Sequence, residues 1–149
     1  MLRRADCLRQ TLVPSLLTAR RHNEKLSNSV IELFEIANVY LPIAGALPEQ
    51  KRMLAVASGG GFLEVKGVLE SLVHEISSAE QLVVGESSYP LLDTSRQCRL
   101  RLGERTLGYL GEVTGEGRRQ FELRSPATVA ELDLEVLIAA AELIPAARP

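Results

Sequence analysis

The amino-acid sequence predicts a single α+β domain in which helices flank a sheet that is at least partly antiparallel. Apolar residues recur at helical spacing between residues 62 and 77, and several shorter segments alternate between apolar and polar side chains. Residues 98–109 alternate on both sides of Gly103-Glu104, which is the pattern of a β-hairpin. With 149 residues, 46% of them hydrophobic, the chain can enclose one sizeable core, so residues 1–149 are interpreted as one domain.

The N-terminal part predicts an amphipathic helix followed by a strand. Thr11 is expected to cap a helix over residues 12–25, and Pro14 is tolerated in its first turn because no intrahelical hydrogen bond is lost there. Residues 30–41 alternate apolar side chains with polar or small ones, which predicts a strand that ends at Pro42.

A second strand and a second helix follow. Residues 52–58 are mostly apolar, which favours a strand inside the sheet rather than at its edge, and Gly59-Gly60-Gly61 ends it. Residues 63–77 predict a helix with one buried stripe, and each buried side chain of that stripe contributes on the order of 1.5–3 kcal/mol. Leu69→Asp is therefore expected to unfold the domain. The stripe consists of Phe62, Val65, Leu69, Leu72, Val73 and Ile76.

The second half predicts shorter elements around the hairpin. Residues 87–95 contain Pro90 and are expected to be irregular. The other predicted elements are a short strand at 81–84, one weak helical turn at 114–120, a closing strand at 127–133 and a last helix at 134–143 that Pro145 ends.

No complete catalytic or metal-binding set can be assembled from the sequence, which favours a protein that holds a partner. Gly59-Gly60-Gly61 lies between a predicted strand and a helix, where backbone amides can bind an anion. A flexible turn is the favoured interpretation, because the P-loop and dinucleotide templates both fail by residue type. His22 and His74 lack partners at a recognised ligand spacing and are expected at the surface.

The remaining reactive or charged residues carry no recognisable signature. Ser58, Ser87 and Ser88 lack a nucleophile elbow, and Glu131, Asp133 and Glu135 are expected to face water. Cys7 and Cys98 are expected to be reduced thiols, with Cys98 as a small buried hydrophobic residue.

The overall charge and hydropathy limit the partners and the compartment. The formal net charge of −2 argues against a dedicated DNA binder, so nucleic acid would be met through a local patch or another subunit. Asp6, Arg9 and Gln10 interrupt any signal-peptide-like run, and no segment approaches the roughly 20 apolar residues that span a bilayer. A cytoplasmic protein without a membrane partner is therefore expected.

Four segments, in matching order and spacing, resemble the β subunit of phenylalanyl-tRNA synthetase. Residues 8–17 (LRQTLVPSLL) and 33–40 (LFEIANVY) resemble the family patterns LRxSLLPxLL and LFEIGxVF. Residues 62–70 (FLEVKGVLE) resemble FFDLKGxVE, and residues 107–113 (LGYLGEV) resemble IGxLGEL. Residues 129–134 (VAELDL) add a likeness to AFELDL, so the resemblance extends over most of the chain.

This resemblance implies a relative of the class II aminoacyl-tRNA synthetase core, a mainly antiparallel sheet flanked by helices that packs against the catalytic α subunit. The helix from residue 12 and the strand to Pro42 would correspond to the class II interface motif. Whether the basic end of that helix meets tRNA or solvent stays open. The expected interface residues are Leu12, Val13, Leu16, Leu17, Arg20 and Arg21.

The resemblance also implies that the chemistry takes place elsewhere. Class II enzymes hold ATP with an arginine in an Arg-x-Glu motif, which the sequence lacks, and with a second arginine in a Gly-rich motif, where Lys66 follows the glycines instead. The family's His-Pro-Gly-Arg-like segment is replaced by residues 91–96, which keep only Arg96. The complete subunit is several times longer, so the chain is expected to be a fragment.

The expected function is a non-catalytic core module of phenylalanine–tRNA ligase, within a heterotetramer whose full enzyme uses ATP and magnesium. No cofactor or metal is expected in this fragment, and tRNA is expected as an indirect partner through the full enzyme. The alternative is a ligand-binding module with a class II-like pocket for a nucleotide or amino acid at the Gly59 turn. An independent enzyme would need a nucleophile or an acid–base pair that the sequence does not reveal.

Overall fold

The computed structural model of the chain describes residues 8–142, which form a six-stranded sheet with helices on both faces. In chain order the elements are α1 (Val13–Lys25), β1 (Leu33–Leu41), β2 (Glu49–Ser58), α2 (Phe62–Ile76), β3 (Leu82–Gly85), β4 (Leu92–Leu102), β5 (Arg105–Val113), α3 (Gly115–Gln120), β6 (Thr128–Asp133) and α4 (Leu134–Ala140). None of the helices within residues 8–142 is both long and apolar enough to cross a bilayer.

The strands lie in the order β1-β2-β6-β5-β4-β3, and every neighbouring pair is antiparallel. The predicted α+β class is therefore confirmed. The last strand in sequence, β6, lies between β2 and β5, and its first five residues are all buried. A strand covered on both faces cannot show the apolar–polar alternation of a half-exposed strand.

Each face of the sheet has its own apolar core. On one face α1 places Leu16 and Leu17 against Ala55, Ala57 and Val129. On the other face α2 and α4 pack over a second cluster that includes Leu69, Leu110, Ala130, Leu132 and Leu137. The alternation of Val129 and Ala130 between the two clusters follows from the period of two along a strand.

Helix α2 confirms the strongest periodic prediction. Val65, Leu69 and Val73 are buried, and the other three predicted stripe residues are partly buried against the same cluster. The hairpin β4–β5 is confirmed as well, because Leu102 pairs with Arg105 around a two-residue turn.

Strand β4 begins at Leu92, so the prediction that residues 87–95 are entirely irregular is wrong. The pairing with β5 shifts register between Leu92 and Gln97, and the Asp93 carboxylate accepts hydrogen bonds from the Ser95 amide and hydroxyl within this bulge. Between these two pairs β4 has more residues than β5, and the extra residues interrupt the period of two in the sequence.

Helix α1 begins at Val13 rather than at residue 12, and Thr11 is not its N-cap. The Leu12 amide at that end donates instead to the carboxylate of Glu131 on β6, at 3.2 Å. The first strand begins at Leu33, three residues later than predicted, and β2 begins at Glu49, three residues earlier. The predictions for Cys7 and for the chain beyond residue 142 lie outside the described residues.

Candidate functional site

The apolar stripe of α1 covers the chain's own sheet. A partner cannot reach these side chains while α1 stays packed in this way, so the stripe is core rather than free surface. Of the predicted interface residues, Leu12, Val13, Leu16, Leu17 and Arg20 are all buried. Arg21 keeps part of its guanidinium exposed and pairs with Glu122 at 2.8 Å.

Arg20 is buried in a polar network at the end of α1. Its guanidinium donates to the Ile31 carbonyl at 2.8 Å and lies within hydrogen-bond distance of Ser125 Oγ and the Pro126 carbonyl. Arg20 Nε is 3.6 Å from Glu24 Oε1, which is an ion-pair distance but too long for a hydrogen bond. Both side chains are nearly inaccessible, so Arg20 is placed to position two loops.

Glu24 completes this network from the same helix. It accepts hydrogen bonds from the Arg124 amide at 2.7 Å and from Ser125 Oγ at 2.6 Å. Burial acts to raise the pKa of the Glu24 carboxyl, but these hydrogen bonds and the nearby Arg20 charge outweigh it and hold the pKa below its ordinary value. The Glu24 carboxylate therefore fixes the end of α1 to the loop before β6.

Side chains of the protein already contact three backbone amides around the Gly59 turn. The Gly60 amide donates to Ser58 Oγ at 2.9 Å, the Gly59 amide lies 3.4 Å from a carboxylate oxygen of Glu32, and the Phe62 amide donates to Glu112 at 3.0 Å. An incoming anion would have to displace two carboxylates at this helix N-terminus. The geometry thus favours the structural turn over the predicted alternative of a nucleotide site.

Arg96 is the one residue of the family's His-Pro-Gly-Arg-like segment that this chain keeps, and it has a partner in the hairpin. Its guanidinium pairs with Glu112 Oε2 at 2.8 Å. This hydrogen bond, together with the one from the Phe62 amide, holds the pKa of the Glu112 carboxyl below its ordinary value. The β4–β5 hairpin is therefore tied to the start of α2 by one carboxylate.

Strand β1 and helix α2 border an apolar groove of about 640 Å³ that no part of residues 8–142 fills. Phe34 is 71% exposed, Ile36 51% and Val68 62%, although all three are large apolar side chains. On soluble proteins, a contiguous exposed apolar surface of this kind commonly marks a site of interaction with another molecule. We call it the β1–α2 groove; it is lined by Leu33, Phe34, Ile36, Leu54, Val56, Val65 and Val68, with Glu32, Ser58 and Glu64 also in its walls.

The opposite face of the sheet contains a second cavity of about 510 Å³, which we call the Glu131 pocket. Tyr109 stacks on Tyr89 at its edge, with ring centroids 4.1 Å apart. Lys51 and Asp133 face each other across 3.5 Å. The cavity is lined by Gln10, Thr11, Val39, Leu41, Lys51, Met53, Tyr89, Thr106, Leu107, Gly108, Tyr109, Glu131 and Asp133.

Glu131 is 3% exposed, so the prediction that it faces water is wrong. Its Oε2 accepts hydrogen bonds from Thr11 Oγ1 and the Leu12 amide, and Tyr109 Oη lies 3.5 Å away. Burial raises the pKa of the Glu131 carboxyl above its ordinary value, against these hydrogen bonds, which lower it. Burial and then the Glu131 charge also raise the pKa of the Tyr109 hydroxyl. The carboxylate caps α1 from the central strand.

Sequence reasoning missed Glu131 because the pattern of β6 alone cannot show that the start of α1 covers its outer face. Asp133 is half-buried and Glu135 is exposed, so of the three acidic residues only Glu135 faces water fully, as predicted. A signal was present in the strand: Glu131 is flanked by Ala130 and Leu132, and a carboxylate inside an apolar central strand is costly unless it has partners.

Within residues 8–142, the other predicted reactive residues occupy surface or structural positions. His22 and His74 are exposed, as predicted, and the Ser58 hydroxyl serves the turn. Cys98 is a free, buried thiol whose pKa is raised by burial. Across residues 8–142, no three side chains of His, Cys, Asp or Glu come together in a way that could hold a metal ion.

The fold and the sequence both match known proteins. The chain superposes on the pyrrolysyl tRNA synthetase PylSc of Desulfitobacterium hafniense with a TM-score of 0.65 and 24% identity, covering 89% of this chain and 48% of that one. A second pyrrolysyl-tRNA synthetase structure from Desulfitobacterium hafniense gives a TM-score of 0.64 at 22% identity. At these identities the likeness shows the fold alone, and it confirms the expected synthetase-like core.

Curated relatives are phenylalanine–tRNA ligase beta subunits. The one from Rhodopirellula baltica is 34% identical over 156 residues, which is 97% of this chain and 23% of the relative. The one from Clostridium tetani is 29% identical and covers 87% of this chain and 17% of the relative. The chain thus spans less than a quarter of the length of these relatives. The model of the phenylalanyl tRNA synthetase beta chain CLM domain matches residues 3–134, most of the sequence, and the chain therefore belongs to that family.

Proposed function

We propose that this chain is a non-catalytic core module of a phenylalanine–tRNA ligase β subunit that packs against the catalytic α subunit. In this role it supports tRNA(Phe) aminoacylation in the cytoplasm as part of a heterotetramer, and it meets tRNA only through the full enzyme. The full enzyme uses ATP and magnesium, whereas this module binds neither.

The β1–α2 groove is the observation that carries the proposal. Exposed Phe34 and Ile36 lie on an edge strand, and exposed Val68 faces them from α2. Burying apolar side chains of this size contributes on the order of 1.5–3 kcal/mol each, which is enough to hold a subunit when several are covered together. The buried stripe of α1, which the sequence favoured as the contact, is already used inside the chain.

The backbone of β1 supports the same surface. Tyr40 donates its amide outward to the Arg9 carbonyl at 2.9 Å, so the even-numbered residues of β1 direct their backbone groups away from β2. By the same alternation, the backbone groups of Phe34 and Ile36 lie along the open edge of the sheet. An uncovered strand edge beside an apolar groove suits a tightly packed partner.

The proposal is tested by size-exclusion chromatography with light scattering, on the chain alone and mixed with the cognate phenylalanyl-tRNA synthetase α subunit. A stable complex is expected with the unaltered chain, and Phe34→Asp or Ile36→Asp should abolish it because a carboxylate cannot be buried in an apolar contact. Leu47→Asp is the matched control: Leu47 is 88% exposed and lies outside the groove, so its variant should still co-elute.

Two results would overturn the proposed surface or the proposed function. Retention of the complex by both groove variants would show that the α subunit binds elsewhere. A folded chain that never co-elutes with the α subunit, even at concentrations of about 100 μM at which micromolar complexes form, would remove the assembly role itself.

A further inference from the structure

We propose that the Glu131 pocket is a binding site for a small organic ammonium ion that has an apolar body, such as a primary amine. This inference is independent of the proposed contact with an α subunit, because the pocket and the β1–α2 groove lie on opposite faces of the sheet. Val39 and Met53 line the pocket, whereas the sheet neighbours Ile36 and Leu54 line the groove.

Glu131 offers the pocket a carboxylate oxygen that can accept a hydrogen bond from a ligand. The hydrogen bonds that its carboxylate accepts from Thr11 Oγ1 and the Leu12 amide, and its contact with Tyr109 Oη, all involve Oε2. Glu131 is 3% exposed, and it lines the pocket. Because this carboxylate borders the cavity, a ligand there that brings N–H donors can bind to Oε1.

The shape and composition of the cavity also suit a small ligand with an apolar body. A volume of about 510 Å³ lies within the ordinary range for small-molecule sites, which are mostly apolar with a few fixed polar groups. Val39, Leu41 and Met53 supply an apolar wall, and the stacked rings of Tyr89 and Tyr109 supply an aromatic edge. An aromatic face also attracts a cation placed against it.

The charged side chains that line the cavity favour a cation. Glu131 and Asp133 contribute two carboxylates to the pocket, and its one lysine, Lys51, is already paired with Asp133. Carboxylate and phosphate ligands would therefore meet repulsion without a free cation to bind them, whereas an ammonium ion is attracted. The pocket thus selects amines over acids of the same size.

Methionine NMR provides a direct test, because the chain contains two methionines and one of them, Met53, lines the pocket. The protein is labelled with 13C at the methionine methyl groups and titrated with 2-phenylethylamine at neutral pH. The anion 3-phenylpropanoate, which has the same ring and a similar length, is titrated in parallel. Saturable movement of the Met53 signal with the amine, and none with the anion, is expected.

Two variants connect the binding to Glu131 and to the cavity. In Glu131→Gln the amide oxygen can replace Oε2 as acceptor for the Leu12 amide, which leaves the NH2 group in the place of Oε1, so the amine should bind at least about tenfold more weakly. Leu41→Trp fills the pocket without altering Glu131 and should also abolish the response. Glu116→Gln, an exposed carboxylate on α3, is the matched control and should bind as the unaltered chain does.

The outcomes separate the alternatives. Equal Met53 shifts with the amine and the anion would show a general apolar cleft and overturn the role of the carboxylate. An unmoved Met53 signal up to the solubility limit of the amine would overturn the site. If Glu131→Gln does not fold, Leu41→Trp still decides whether the amine enters this cavity.

Discussion

Glu112 links Arg96 on β4 to the first amide of helix α2. Its Oε1 accepts from the Phe62 amide at 3.0 Å, and its Oε2 pairs with Arg96 Nη1 at 2.8 Å. A carboxylate at a helix N-terminus is favourable because the free amides carry partial positive charge there. Residues from three separate parts of the sequence are thereby held together at the Gly59 turn.

The stability that Glu112 provides should depend on pH. The folded pKa is held below the ordinary value of 4.5, so the contribution is fully present above the unfolded pKa and is lost as pH falls through the folded pKa. Urea unfolding of the unaltered chain and of Glu112→Gln, at a series of pH values, should show a difference of about 1–2 kcal/mol near neutrality that shrinks in acid. A difference that is constant with pH would contradict the role of the charge.

The buried Arg20 should contribute strongly to stability. Arg20→Met removes the donors to Ile31 and leaves Glu24 buried without its cation, which typically costs about 3–5 kcal/mol. The measurement is the urea midpoint, with Arg21→Met as the matched control. Arg21 pairs with the 62% exposed side chain of Glu122, and an exposed pair contributes about 0–1 kcal/mol. Equal effects of the two substitutions would contradict the assignment.

Leu69→Asp should unfold the domain, as the sequence already predicts. Leu69 is 1% exposed in the core between α2 and the sheet, where an unpaired carboxylate has no donor. Its neighbour Val68 is 62% exposed, so Val68→Asp should retain the fold. Far-ultraviolet circular dichroism and thermal melting distinguish the two variants. A cooperative melt for Leu69→Asp would show that α2 is not a main support of the sheet.

Local patterns predicted the elements that have one buried face, and they failed where burial depends on distant parts of the chain. Helix α2 was found because a single stripe determines its period. Arg20 looked like a surface cation at a helix end, and only the approach of Ser125 and Pro126, more than 100 residues away, explains why it is buried. Glu131 was missed for the same reason, because the segment that covers it begins at Thr11.

The two candidate surfaces were less accessible to sequence reasoning than the fold. The apolar stripe of α1 and the exposed residues Phe34 and Val68 have the same apolar character in the sequence. The sheet order decides which of them is buried, because α1 covers one face of β1, β2 and β6, whereas Phe34 lies on the other face of the edge strand β1. That order depends on the central position of β6, which no local pattern encodes.

Two glycines should respond in opposite ways to substitution by alanine, because the backbone of β6 lies close against Gly108 and no atom lies close to Gly67. A Cβ at Gly108 would overlap the Glu131 carbonyl oxygen across the β5–β6 pair. Because that oxygen belongs to the backbone, the overlap is relieved only if the two strands move apart. A Cβ at Gly67 in helix α2 would meet no atom within 4 Å. Gly108→Ala should therefore lower stability by more than about 2 kcal/mol, whereas Gly67→Ala should raise it by about 0.5–1 kcal/mol through helix propensity.

Urea unfolding of both variants shows directly whether the free energy of unfolding falls in Gly108→Ala and rises in Gly67→Ala. Because Gly108 also lines the Glu131 pocket, the separation of the central strands should disturb the Met53 methyl signal in Gly108→Ala and leave it unchanged in Gly67→Ala. A Gly108→Ala protein as stable as the unaltered chain would mean that β5 and β6 lie farther apart than the described register allows. The stability change in Gly67→Ala depends on helix propensity alone, because the new Cβ contacts no other atom. It therefore tests the effect of helix propensity without involving the sheet.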